Sequence, residues 1–257
     1  PQLGFFGRWP VPAVAREGET VFTVDLEPHA YRAFRKETGA AATETTAAAR
    51  GPVRPPAPPL PPGHDLAFEI NKKLGRGVNI IGYDPLWKDR QRARFQDEHF
   101  KLIKEAGFSS VRIVLQPFSL MDAQNRLPAS WFQTLDWAVK GALANGLAVI
   151  LDFHEFGPLA ADPVGRKERF LAFWRQVAPR YKDAPASVVF ELLNEPFGKL
   201  TPEMWNDYLR EALAIVRQTN PRRVVVVGPG QWNTIGTLDR LSLPQDDPYL
   251  IVTVHYY

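Results

Sequence analysis

The 257-residue sequence has no cysteine, which removes disulfide frameworks, thiolate metal sites and cysteine nucleophiles and leaves the redox compartment open. No apolar run approaches the roughly 18 residues needed to span a bilayer, so no membrane partner is expected. Charge of either sign is in little excess. The 31 basic and 28 acidic side chains leave a formal net charge of +3, too small to suggest a nucleic-acid surface. The chain opens on Pro1, and residues 1–10 lack a basic-then-apolar pattern, so any export signal is expected outside these residues.

Proline, by contrast, is concentrated. Seven prolines fall within residues 51–62, GPVRPPAPPLPP, after the small polar stretch AATETTAAAR. Fixed φ and missing N–H donors make this an extended spacer that neither helix nor sheet absorbs. Residues 40–63 are therefore read as a linker, residues 1–39 as an extension or the tail of an upstream module, and residues 64–257 as the main domain. Within the extension, Val21 to Glu27 alternates like a strand and His29 to Lys36 suits a short helix, but the piece is too small to fold alone.

From about Leu66 onward, short β-branched runs alternate with helix-period segments, the pattern of repeated βα units on a parallel sheet. Strands are predicted at 77–81, 110–115, 147–154, 187–194, 223–228 and 249–257. The stripe Phe170, Phe173, Trp174, Val177 and Tyr181 marks one helix face toward the sheet. Thr201 followed by Pro202 reads as a helix start, and Gly107 and Gly146 as helix ends. An open doubly wound sheet would bring a glycine-rich phosphate loop after its first strand, and GYDPLWKD is not one. A TIM (β/α)₈ barrel with about six of its eight units present is the better fit.

In such a barrel the chemistry gathers at the C-terminal ends of the strands. Strand three is predicted to end in Asp152 and His154, strand four in Asn194-Glu195-Pro196, and strand six in His255 and Tyr257. A period of two puts Glu191, Leu193 and Glu195 on one face, and likewise His255 with Tyr257. Arg112, inside an apolar strand, needs a buried partner. Glu191 is one such partner by parity, which would make Arg112 a structural ion-pair residue. Trp87 and Trp232, in the loops after strands one and five, are sugar platforms or loop packing; Trp131, Trp137, Trp174 and Trp205 belong to the helical shell. Asp152 reads as a support rather than a catalyst. A metal site from Asp152, His154 and Glu155 is disfavoured because neighbouring strand residues face opposite ways.

Taken with the segments RGVNI, KEAGFSSVRI, RFLAFWRQVAPRYKD, ELLNEPFGKLTPEMWNDYLREAL and IVTVHYY, this constellation resembles glycoside hydrolase family 5, its cellulases above all, over about residues 66–257. The resemblance implies hydrolysis of β-1,4-glycosidic bonds by a retaining pair of carboxylates about 5–5.5 Å apart, with no cofactor and no metal. It implies Glu195 as acid/base, Asn194 as a contact to the sugar 2-hydroxyl, and Arg112, His154, His255 and Tyr257 as site lining. The partner would be a β-linked oligo- or polysaccharide, and the location secreted or periplasmic. The family's nucleophile, a glutamate ending strand seven, and its strand-eight tryptophan have no counterpart here, so the chain reads as truncated. Two departures stand out: Glu155 follows His154 where many relatives carry a second histidine, and Ile81-Gly82-Tyr83-Asp84-Pro85-Leu86-Trp87 replaces the usual first loop. Mannan or another specificity, or a sugar-binding barrel without hydrolysis, remain as alternatives, and the oligomeric state is open.

Overall fold

The computed structural model describes residues 64–256. The expected strand at 21–27, helix at 29–36, the linker and Tyr257 lie outside them.

All six strands form: β1 (Gly77–Ile80), β2 (Ser110–Leu115), β3 (Ala148–Phe153), β4 (Val188–Glu191), β5 (Val225–Val227) and β6 (Leu250–Val252). They pair in parallel and in sequence order, β1 to β6, as consecutive βα units of a (β/α)₈ barrel do. Helices α1 (His64–Leu74), α2 (Asp97–Glu105), α3 (Ala129–Ala144), α4 (Phe156–Ala161), α5 (Pro163–Arg180) and α6 (Pro202–Thr219) precede or connect them. Alternation along the strands divides the apolar residues in two. Val111, Ile113, Leu115, Val149, Leu151, Phe153, Val188, Phe190, Val225 and Val227 join the larger core with the helices, where Phe170, Phe173, Trp174 and Val177 of α5 are wholly buried. Ala148, Val189, Val224 and Val226 point the other way and meet Ile70 and Leu74 of α1. The helix α1, which the sequence reading did not assign, thus packs on the interior face of the sheet near the strand starts.

Local signals explain the boundaries. Thr201 caps α6, its hydroxyl accepting from the Met204 N–H at 3.3 Å, with Pro202 in the first turn. Gly107 and Gly146 follow α2 and α3 with φ of +84° and +67°, conformations that a side chain would strain. The strands end earlier than predicted, because backbone bonds persist while regular geometry does not. Asn194 N–H still donates to Phe153 O at 2.9 Å, and His154 N–H to Leu115 O at 2.8 Å, although both residues lie past their strands. Beyond Glu191 the period of two fails, since Leu192 and Leu193 both pack into the larger core. The predicted shared face of Glu191, Leu193 and Glu195 is therefore incorrect. At the start of β5, Arg223 is not a strand residue: its guanidinium donates to the carbonyls of Tyr181, Ala184, Pro185 and Val188 and ties the turn after α5 to β4.

Candidate active site

Register sets the centre of the site. Asp152 and Glu191 are paired neighbours on β3 and β4, both facing inward and both buried. Two carboxylates side by side repel, and Arg112, reaching in from β2, answers them. Its Nε donates to Glu191 Oε2 at 2.6 Å and its Nη2 to Glu191 Oε1 at 2.8 Å, a bidentate grip. Nη1 lies 2.9 Å from Asp152 Oδ2, and Nη2 also donates to Asn194 Oδ1 at 2.8 Å. Burial alone would depress the Arg112 guanidinium, but Asp152 and Glu191 outweigh it and hold it raised, hence charged. One cation serves two carboxylates, so burial, with Asp152 beside it, pushes Glu191 above the usual carboxylate range despite Arg112. Arg112 and Glu191 do form the ion pair that parity suggested, and the same guanidinium orients Asn194.

A second layer sits above this one. Asp152 Oδ2 meets His154 Nδ1 at 2.6 Å, an arrangement that fixes the ring. Glu195 follows Asn194 in a left-handed conformation, φ +42°, a costly geometry that turns its chain sharply at the end of β4. Its carboxyl is largely buried and its Oε1 lies 2.7 Å from His255 Nδ1. His255 is three residues past β6 rather than within a long final strand. Its N–H donates to Asn233 O at 2.9 Å, and Asn233 Nδ2 lies 3.3 Å from its Nε2. Sequence reasoning passed over Asn233, which has no motif to announce it and acts through a turn whose residues Gln231, Trp232 and Asn233 all have positive φ.

The two tryptophans differ. Trp87 donates its indole N–H to Ile81 O at 2.7 Å and stacks on Trp131 at 5.5 Å, inside a turn that Asp84 organises by accepting from Leu86 and Phe95 N–H groups. It packs beneath its own loop. Trp232 is 48% exposed and stacks on Phe197 at 4.9 Å, with Phe156 next to Phe197 and His154 next to Phe156. That row of rings offers an apolar face along the strand ends. Phe156 and Phe197 were not singled out from sequence. Glu155, of opposite parity to His154, turns outward and accepts from Phe118 N–H at 2.7 Å; burial pushes its carboxyl up. Among the described residues no group of three His, Asp or Glu side chains could hold a metal ion, and no helix is long and apolar enough to cross a membrane.

Arg112 from within β2 reaches Asn194 directly and His154 through Asp152, and Glu195, next to Asn194 past β4, meets His255 past β6, so residues of four strand segments gather on one side of a parallel βα sheet. An ensemble of this kind defines a barrel with its chemistry at the C-terminal rim. The family model for cellulase, glycosyl hydrolase family 5, matches residues 72–257, and the chain belongs to that family. Endoglucanase H of Acetivibrio thermocellus is 32% identical over 246 residues, covering 93% of this chain and 27% of that protein. The crystal structure of endoglucanase Cel5A from Thermotoga maritima superimposes with a TM-score of 0.69 at 42% identity, over 74% of this chain and 63% of that one. The cellulose synthase subunit Z from Clostridioides difficile does so at 0.65 and 36%, over 71% and 61%. The chain spans 27%, 34% and 43% of the lengths of three of the curated endoglucanases that it matches.

Proposed function

We propose that this chain carries the acid/base half of a retaining endo-β-1,4-glucanase site, with Glu195 as proton donor. The observation that supports it best is the hydrogen bond of Glu195 to His255 at the end of the polar interior. In this reading Glu195 protonates the leaving oxygen and later deprotonates the attacking water. Asn194, held by Arg112, meets the sugar 2-hydroxyl. His154 lines the sugar site. Trp232 with Phe197 and Phe156 takes a pyranose face, whereas the engagement of Trp87 by Ile81 and Trp131 makes it loop packing.

The attacking carboxylate is taken to lie outside the described residues. Glu191 is gripped by Arg112, Asp152 is shared by Arg112 and His154, and Glu155 faces Phe118. None of them suits a nucleophile. Residues 1–39 are an extension and 40–63 a spacer in this reading, and a polymeric substrate puts the site of action outside the cytoplasm. A mannan-type substrate is the second reading, because Thermotoga maritima Cel5A has been crystallised with cellobiose and with mannotriose.

The test compares the chain as it stands with the chain extended by the last two βα units of a relative, each with and without Glu195→Gln, on soluble cellulose and mannan derivatives. Glu195-dependent hydrolysis by the extended chain alone is expected. Equal hydrolysis by the short chain would place the nucleophile within it, and hydrolysis indifferent to Glu195 would remove the donor assignment.

A further inference from the structure

The arginines of α5 divide by their partners. Arg175 pairs with Glu168 and Arg180 with Asp136. Nearer the helix start, Arg166 and Arg169 stand three residues apart and so share a face, and neither has a carboxylate within ion-pair reach among the described residues. The Arg166 guanidinium makes no hydrogen bond there either, whereas Arg169 is held in place by Nη2 alone, which donates to the carbonyls of Met121 and Asp122 at 2.8 and 3.0 Å. Both line a cavity of about 510 Å³, within the roughly 300–1,000 Å³ of small-molecule sites. Glu155, Gln116 and Ser119 line it too, with Phe118 in its wall. Glu155 accepts Phe118 N–H through Oε1 alone, and the side chains of Gln116 and Ser119 make no hydrogen bond among the described residues. Five polar side chains with unused donors or acceptors thus converge on one space.

We propose that this cavity is a second binding site, for a sugar acid whose carboxylate lies against Arg166 and Arg169 and whose hydroxyls meet Glu155, Gln116 and Ser119. Two guanidinium groups face one carboxyl, so an anion is called for, and guanidinium forks match a carboxylate. Burial pushes the Glu155 carboxyl up, toward its neutral form, which widens the positive excess. The neighbouring acids are engaged elsewhere, Asp122 with Arg126 and Asp162 with the Gly165 N–H at the start of α5. A phosphate dianion would bring two negative charges against Glu155. A monoanion whose other polar groups are hydroxyls gives that same carboxyl a hydrogen bond to accept, and gives the Gln116 amide and the Ser119 hydroxyl partners as well. The pinned Arg169 has little freedom left to lose on binding. The same chemistry is offered by a free uronic acid and by a uronic acid substituent on a polysaccharide lying at His154, one residue from Glu155; only the second source rests on the glucanase reading of the rim.

Amide ¹H–¹⁵N spectra of the full chain, titrated with methyl β-D-glucuronoside, test this without any turnover. The signals of Phe118 and Ser119 should move and saturate. Methyl β-D-glucoside, which has a hydroxymethyl group in place of the carboxylate, should bind at least about tenfold more weakly, as loss of a charge-assisted hydrogen bond implies. Arg166→Gln removes a guanidinium that has no partner to leave behind, and should weaken the glucuronoside by about tenfold while cello-oligosaccharide binding stays within about twofold; Arg166→Lys should weaken it by less. A cello-oligosaccharide bearing a glucuronic acid residue separates the sources: tighter binding than the simple glucuronoside, with rim signals moving as well, assigns the acid to a substituted polysaccharide, and no gain assigns it to a free sugar acid. Equal binding of the two methyl glycosides, inorganic phosphate saturating the same signals more tightly than the glucuronoside, or binding indifferent to Arg166→Gln would each overturn the proposal. None of these results bears on whether Glu195 donates in hydrolysis.

Discussion

The sheet interior is made of one set of inward positions, yet its two ends have opposite chemistry. Near the strand starts, Ala148, Val189, Val224 and Val226 close on Ile70 and Leu74 of α1 in an apolar cluster. Four residues further along β3, and two along β4, the same faces present Asp152 and Glu191, with Arg112 across from them. The lower end stabilises by removing carbon from water, roughly 25 cal/mol per Å². The upper end instead desolvates three charges, which ordinarily offers little net stability but does hold side chains in fixed places. The contrast teaches that the upper interior is arranged for orientation: every one of its groups is tied, directly or through one neighbour, to Asn194 or His154.

The sharpest way to break this contrast is Arg112→Met, which leaves two buried carboxylates without their cation. Loss of about 3–5 kcal/mol is expected in urea unfolding, together with loss of oligosaccharide binding. Adding Asp152→Asn and Glu191→Gln to the same chain should restore most of the stability and none of the binding, since the residual charge is gone but the orientation of Asn194 is not recovered. Restored binding would mean that the network is structural only.

At the lower end, Ile70→Ala removes a wholly buried side chain and should lower stability by about 2–4 kcal/mol, read from the same unfolding curves. Binding of cello-oligosaccharide by calorimetry should stay within about twofold, because Ile70 packs with α1's own cluster and not with the rim. A smaller effect is expected outside the interior, at Glu155. Its carboxyl is raised above the ordinary 4.5 by burial, so its contribution to stability is greatest below that pH and declines as pH rises through the folded-state value. Glu155→Gln keeps an acceptor for Phe118 N–H and removes the burial penalty. The variant should gain up to about 1 kcal/mol over wild type at pH 8 and nothing at pH 4, as a few degrees in calorimetric melting.

The same division governs what was legible in the sequence. The strands buried on both faces, β2 to β5, read as runs rich in valine and isoleucine, and all six strands fall within the predicted ranges although most are shorter; caps such as Thr201 and Gly146 are local chemistry that needs no tertiary partner. Arg112 stood out because a charge inside an apolar strand needs a partner, and Asn194, Glu195 and His255 because polar residues close apolar strands there. Less could be read past the strand ends, where period-two parity lapses: Glu195 turns left-handed, His255 hangs on Asn233, and Trp87 turns its indole N–H to Ile81. Those placements depend on backbone dihedrals and carbonyl positions contributed by distant loops. Helix α1 was missed for a different reason, since its apolar residues only make sense once the sheet interior they cover is known.

Leaving-group dependence tests the proposed proton donation by Glu195 most directly. In the extended chain, Glu195→Gln should slow hydrolysis of cellotetraose by about 10²–10⁴-fold, the usual contribution of a positioned acid. Release of 2,4-dinitrophenolate from its cellobioside, which needs no proton, should keep a first-turnover rate within about tenfold of the parent. Equal losses on both substrates would contradict the assignment and show that Glu195 serves some other part of the site.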